Sequence, residues 1–484
     1  MTSIRKNLFY SSILTTANYI FPLITYPYVS RVLGVTNIGI CNFVDSIINY
    51  FTMFSLMGIV AVGIRNVAEC KNNKAELSKT LSNLFWLNTL STAIVVAVLC
   101  ALIFLVPKFY EYKEMMFVGV MKVIFSYLMI DWFYRGIEDF KYITNCGLLV
   151  KLMYVAGIFY FVRGKGDYNM YYMLSVMMIV VNAVINLWHS RKFATISFNL
   201  RNIRIKKYLP SFLTLGLYII LTSMYTTFNV AYLGFACNET EVGYYTTATK
   251  LHTIFLSLFS AFTGVMLPRM SSLICNGNQE EFKSMIEKSI RLLFAFSFPL
   301  IVFTEIFARE IIGVISGSGY EMAVPPMQII MPLILIIGYE QIIVIQVLMP
   351  MKKDRAIFVG SIAGAVAGIL TNILIVSKMK SIGSAIVWFI SEIVVLTVSQ
   401  YYTNKSIKIS TQWKSLIKYF LAAIPCGLLL LEIKTSLHCN AFYSVCIGMG
   451  TTVVYYLIVY VFIIKDEFAV SLFKIVANKT KKHQ

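Results

Sequence analysis

Residues 82–106 read SNLFWLNTLSTAIVVAVLCALIFLV, a run without one charged side chain. A helix needs ~20 mainly apolar residues to cross ~30 Å of hydrocarbon, and this run supplies them. Working outward, similar runs recur along the whole chain. Candidate spans fall at roughly 10–33, 38–63, 82–106, 114–134, 142–162, 168–189, 210–235, 243–268, 289–312, 325–350, 356–377, 381–402, 414–432 and 441–464. Of 484 residues, 58% are apolar and 13% charged, and mean hydropathy is +0.73. A soluble domain carries about a quarter charged residues. The expected fold is therefore an all-α membrane protein of about fourteen transmembrane helices, and a large soluble catalytic domain has nowhere to sit.

The loops orient the chain. With the N-terminus cytoplasmic, the inner segments hold 30 Lys and Arg and the outer loops 9. Basic side chains resist translocation, so this bias predicts cytoplasmic termini on both sides and an even number of spans before Lys405. The net charge of +19 is then positive-inside bias, not a nucleic-acid footprint. Met1–Tyr10 lacks a leader pattern, so the first span is expected to be retained. Arg191–Leu209 alternates basic residues with Phe193, Phe198, Ile203 and Ile205. It reads as an interfacial amphipathic linker on an anionic leaflet. The expected organisation is a six-helix lobe over 1–190, the linker over 191–209, a second six-helix lobe over 210–403, and two additional helices with a basic tail over 404–484.

The two halves are weakly self-similar. Leu33-Gly34 recurs as Leu233-Gly234; then, at a shift of 204, Ile38-Gly39 matches Val242-Gly243, and Arg65, Glu76 and Lys79 match Arg269, Glu280 and Lys283. Six spans separate the units, so both insert the same way up, a parallel repeat of the kind transporters use. Pro22 and Pro27 in span one and Pro332 in span ten bend their helices, either to open a cavity or as packing kinks.

Ionisable groups inside spans cost at least ~2.5–3.5 kcal/mol on insertion scales and need a partner or water. Arg31, Lys122, Lys151 and Lys250 are the candidate substrate-binding cations; together they suit a multiply charged anion, Arg by its bidentate fork and Lys as a point charge. The plain readings are that Arg31 snorkels to headgroups and the lysines snorkel partway. Asp45 is either a coupling acid or half of a structural ion pair. Glu305, Glu340 and Glu392 read as structural acids, and Asp131-Trp132 as an interface anchor. No Gly-x4-Gly-Lys-Ser/Thr loop, no Gly-x-Ser-x-Gly elbow and no metal-ligand spacing is present. Neither catalytic residues, a metal nor a cofactor is expected, and the chain is not read as an enzyme.

Several local words then carry a family resemblance. Lys6-Asn7 through Phe21-Pro22-Leu23-Ile24-Thr25 to Tyr26-Pro27-Tyr28-Val29-Ser30-Arg31-Val32-Leu33-Gly34 resembles the start of Wzx-type polysaccharide flippases, members of the multidrug/oligosaccharidyl-lipid/polysaccharide exporter superfamily. Asp131-Trp132-Phe133-Tyr134-Arg135-Gly136-Ile137-Glu138-Asp139-Phe140 is similar to that family's segment after the fourth helix, and Glu241-Val242-Gly243-Tyr244-Tyr245 with Ala248-Thr249-Lys250 to its eighth-helix entry. Leu267-Pro268-Arg269, and Gly383-Ser384-Ala385 through Ser391-Glu392, complete the set across roughly residues 5–400.

The resemblance implies two six-helix lobes, alternating access and a cationic cavity, with basic residues at the matches of Arg31 and Lys250. Its substrate would be an oligosaccharide on undecaprenyl pyrophosphate, flipped from the inner to the outer leaflet of a bacterial cytoplasmic membrane for O-antigen, capsule or exopolysaccharide. Partners would be membrane lipids, a polysaccharide polymerase and a chain-length regulator, with proton or sodium coupling. A peptidoglycan-precursor (lipid II) flippase, a drug/cation antiporter and a membrane polymerase are the alternative readings.

Overall fold

The computed structural model describes residues 2–197, 203–407, 412–436 and 439–464. Phe198 of the expected amphipathic linker and the basic tail beyond residue 464 lie outside these. The described residues are helical nearly throughout, and eleven helices are long and apolar enough to cross a membrane. Two of these stretches, Phe9–Cys70 with 62 residues and Asp354–Ser406 with 53, far exceed the ~20 residues of one crossing. Each is broken inside. Thr2–Leu56 breaks at Gly34, with φ 77°, a conformation that costs glycine nothing and a residue with Cβ about 1 kcal/mol or more. Ser377–Ser406 breaks at Lys380, with φ 53°. The seventh expected span is divided between Leu209–Thr226 and Phe228–Ala236. The all-helical membrane fold holds.

The chain folds as two compact units, one of Met1–Thr246 with Gly368–Ser384 and one of Thr247–Ala367 with Ala385–Gln484. The first unit therefore takes in the opening turns of the helix Glu239–Cys275. Its packing explains that. Thr36 and Thr240 share a hydroxyl–hydroxyl bond of 2.9 Å, and Asn42 Nδ2 donates to Thr246 Oγ1 at 3.1 Å. Both pairs join residues 204 apart, the shift of the internal repeat. Gly39 and Gly243 sit between them. A Cβ on Gly39 would strike the Glu239 carbonyl, and one on Gly243 the Val35 carbonyl, which is the same contact read from the other repeat. Two positions paired with their own equivalents lie on a local two-fold axis. In lipid, where apolar burial drives little, such glycine crossings and polar pairs are what hold helices together.

At the other end of this unit, the segment Asp131–Phe140 forms a knot. Trp132, Phe133 and Tyr134 are buried with Ile59, Val62, Leu81 and Phe212, and the Trp132 indole packs on Gly63, where a Cβ would strike it. Trp132 is thus a core residue, not the interface anchor its sequence suggested. Asp131 accepts from Asn186 Nδ2 at 2.9 Å, and Asp139 caps the helix Phe140–Phe161 through the Tyr142 N–H. The described part of the linker is a strap without an amphipathic helix. Its Thr195 and Ser197 N–H groups donate to Ser78 and Ser82, its Ser197 carbonyl accepts from Trp86 Nε1, and its Arg204 N–H donates to Asn83. Every one of those partners lies on the helix Lys74–Leu105.

In the second unit, span ten is irregular. Pro332 separates Val324–Ile330 from Leu333–Gln341, and the backbone then widens into a π-helix over Ile342–Leu348. The last two helices, Trp413–Ser436 and Ala441–Ile458, pack on Gln279–Ile306. Lys434 Nζ bonds Glu310 at 3.0 Å and the Ile306 carbonyl at 2.6 Å, and Tyr460 donates to the Ala295 carbonyl at 2.9 Å.

Candidate functional site

Asp45 and Asn49 share one helical face, four residues apart, and Lys122 reaches them from the helix Lys113–Leu128. Lys122 Nζ lies 2.6 Å from Asp45 Oδ1 and 2.8 Å from Asn49 Oδ1, and Asn49 Nδ2 donates to Asp45 Oδ2 at 3.0 Å. The three side chains close a ring in which every side-chain nitrogen and oxygen is used. Its charge is zero, so Lys122 brings no net cation to an anionic ligand while Asp45 is ionised. Asn49 is the member that sequence reading missed, although its i, i+4 spacing from Asp45 is a sequence signal.

Lys151, on the helix Phe140–Phe161, is half-buried and meets a neutral partner, the side-chain oxygen of Asn18. An amide oxygen satisfies a donor of the ammonium without cancelling its charge. Arg31 is exposed at the Gly34 end of its helix, one turn after Pro27. Lys250 belongs to the second unit and is half-buried, two residues before His252 on the helix Glu239–Cys275. Arg31, Lys122 and Lys151 thus belong to one unit and Lys250 to the other.

Of the three acids, Glu392 is buried and accepts from Trp388 Nε1 at 2.8 Å. Glu340 lies on the helix Leu333–Gln341 and is half-buried. Glu305 stands apart from them, with a buried Oε1 that has no partner. Beside Glu340, Gln341 Oε1 accepts from Ser260 Oγ at 3.1 Å and Thr263 Oγ1 at 3.3 Å. Sequence reading missed these polar ties, because single Ser, Thr and Gln residues in apolar spans carry no periodic signal. Among the described residues no group of three or more His, Cys, Asp or Glu could hold a metal ion.

The family model described as polysaccharide biosynthesis protein matches residues 4–274. A protein of Escherichia coli (strain K12) described as a candidate O-antigen transporter is 25% identical over 419 residues, covering 84% of this chain and 97% of its own length. A Haloferax volcanii protein described as a candidate flippase of low-salt glycan biosynthesis is 21% identical over 225 residues, 46% of this chain and 48% of its own length. Among solved structures, the lipid II flippase MurJ in an inward closed conformation superposes with a TM-score of 0.79 at 15% identity, over 94% of this chain and 99% of that one. An inward-facing multidrug transporter of the MATE family gives 0.63 at 12% identity, over 81% and 98%. At those identities the structural likeness speaks for the fold alone. The Wzx-type resemblance read in the local words holds at the level of family: the chain belongs to the polysaccharide biosynthesis protein family.

Proposed function

We propose that the chain is a flippase for lipid-linked oligosaccharides. It moves undecaprenyl-pyrophosphate-linked repeat units from the inner to the outer leaflet of a bacterial cytoplasmic membrane, with both termini cytoplasmic, by alternating access between two six-helix lobes. The observation that carries the reading is how the membrane-embedded cations are held. Lys122 is paired with Asp45, whereas Lys151 hydrogen-bonds a neutral amide oxygen and feels the Asp131 carboxylate only through space, outside ion-pair distance. A charge kept in a span without an ion pair has been retained at a cost, and an anionic ligand is the compensating group. We assign Arg31, Lys151 and Lys250 to the diphosphate, and Lys122 to positioning through Asp45 and Asn49. A cationic drug would be repelled by this set.

The relatives named for O-antigen transport and glycan flipping support the same substrate class. A polysaccharide polymerase and a chain-length regulator are the expected partners at the outer face. The test is deletion of the gene in its host, complemented by plasmid copies. Loss of surface polysaccharide, with lipid-linked repeat units retained in the inner leaflet, is the expected result. Normal surface glycan in the deletion strain would remove the proposal.

A further inference from the structure

Three loops of the first unit enclose a cavity of about 600 Å³. Its walls carry Lys71 and Lys74 from one loop, Glu138 and Asp139 from a second, and Lys192 and Phe193 from a third. All six residues lie within Met1–Thr246. The volume falls in the ~300–1,000 Å³ range of small-ligand pockets. None of these residues is among the cations assigned to the diphosphate.

The two acids of the cavity are already engaged. Glu138 Oε1 accepts from Lys71 Nζ at 2.9 Å. Asp139 Oδ1 accepts from the Tyr142 N–H at 3.2 Å and caps the helix Phe140–Phe161. Lys74 and Lys192 are exposed, and neither forms an ion pair among the described residues. Two of the three ammonium groups on the cavity wall thus have no carboxylate within ion-pair distance.

The walls are tied together in advance. The helix Asp131–Gly136 closes with the Glu138 N–H on the Arg135 carbonyl at 3.2 Å and the Asp139 N–H on the Tyr134 carbonyl at 2.9 Å. That closure puts Glu138 at φ 65°, a left-handed conformation that suits glycine and strains a residue with a Cβ. The glutamate at this strained position holds Lys71, and so joins the loop before Lys74–Leu105 to the loop before Phe140–Phe161.

The depth of the cavity narrows the choice of ligand. Phe140–Phe161 and Lys165–Ser190 are both apolar enough to span a membrane. Asp139 stands just before the first and Lys192 just after the second. Trp188, four residues before Lys192, is 68% exposed. An exposed tryptophan at the end of a span sits at the level of the lipid headgroups. Lys74 and Lys192 therefore lie where lipid phosphates lie.

We infer that this cavity binds the phosphate of an anionic phospholipid in the adjoining leaflet. Lys74 and Lys192 act on it as point charges, the Lys71–Glu138 pair keeps the site open, and Phe193 is the apolar wall beside the glycerol stem. A phosphate in solution offers the same chemistry, and the depth of the site favours the lipid. The site is independent of what the chain transports, so its failure and that of the flippase reading are separate results.

The test titrates full-length protein in neutral detergent with phosphatidylglycerol, and with phosphatidylcholine as a phosphate-bearing lipid without net charge. Native mass spectra read the lipid bound. The wild type should prefer phosphatidylglycerol, and Lys74→Gln/Lys192→Gln should weaken its binding about tenfold or more. Lys74→Arg/Lys192→Arg keeps both charges and should bind like the wild type. So should Lys79→Gln, which alters an exposed lysine of the same helix outside the cavity. Equal binding of phosphatidylglycerol by the wild type and the double Gln variant overturns the proposal, as does an equal loss in Lys79→Gln. Millimolar inorganic phosphate should leave the lipid bound. Binding of inorganic phosphate by the wild type and not by the double Gln variant, with no preference for phosphatidylglycerol, would assign the site to a soluble phosphate and overturn the lipid.

Discussion

Thr36 and Thr240 are 204 residues apart and share a hydroxyl–hydroxyl hydrogen bond of 2.9 Å. They are equivalent positions of the internal repeat, so the bond marks the local two-fold axis on which the helices through Gly39 and Gly243 cross. Equivalent residues meeting themselves is the pattern of an isologous interface. Under the proposed alternating access, this crossing opens at one stage of the cycle.

A Thr36→Cys/Thr240→Cys variant, made in a background without the native cysteines, should therefore crosslink under mild oxidation and lose transport, and regain both on reduction. Full transport by the crosslinked protein would show that the crossing is static. Gly39→Val places methyl groups against the Glu239 carbonyl and should destabilise the crossed arrangement by about 1–3 kcal/mol. The readout is a shift of the crosslinking yield when Gly39→Val is combined with the cysteine pair.

Asp45→Asn leaves Lys122 without its counter-charge. The Asp45 side chain is 33% exposed, so the loss should be below the ~3–5 kcal/mol of a fully buried pair, nearer ~1–2 kcal/mol. Thermal unfolding in detergent should show both Asp45→Asn and Lys122→Met destabilised. The double variant should recover part of the loss, because both charges are then gone. Additive losses would mean that the two groups act separately.

Arg31→Ala and Lys250→Ala should each abolish or strongly reduce surface polysaccharide while protein levels stay normal. Arg31→Lys should restore only part of it, since a point charge does not reproduce the guanidinium fork. A silent Arg31→Ala and a fully active Arg31→Lys would instead mean that Arg31 only snorkels to headgroups. Complementation for surface glycan, normalised to protein, reads both outcomes.

Topology has its own check. Single cysteines at Asn238 and Asn276 should label from the outside and the inside respectively, as the loop charge bias requires. Labelling of position 276 by an impermeant reagent in intact cells would reverse the orientation.

The helices, the break at Gly34 and the repeat were legible because hydropathy and glycine chemistry act locally. The shift of 204 matched Gly39 with Gly243, which meet at the crossing, although sequence alone gave no reason for them to touch. The segment Asp131–Phe140 was recognisable as a word, but its role was not: an aspartate beside a tryptophan reads as an interface anchor until Gly63 is seen to leave room for the indole. The linker's basic and apolar alternation gave no hint that serines and Asn83 on the neighbouring helix recruit its backbone N–H groups. Pairings such as Gln341 with Ser260 and Thr263 depend on how distant helices are rotated, which a one-dimensional pattern does not contain.

The most direct measurement is a reconstituted flipping assay. Proteoliposomes carrying a lipid-linked oligosaccharide would be treated with a glycan-cleaving enzyme confined to the outside, and the rate at which inner-leaflet substrate becomes cleavable recorded. Wild-type protein should expose the protected pool, and the Arg31→Ala/Lys250→Ala variant should leave it protected at the protein-free rate. Equal rates for wild-type, double-variant and empty vesicles would contradict the flippase reading, and a double variant as fast as wild type would contradict the cationic assignment.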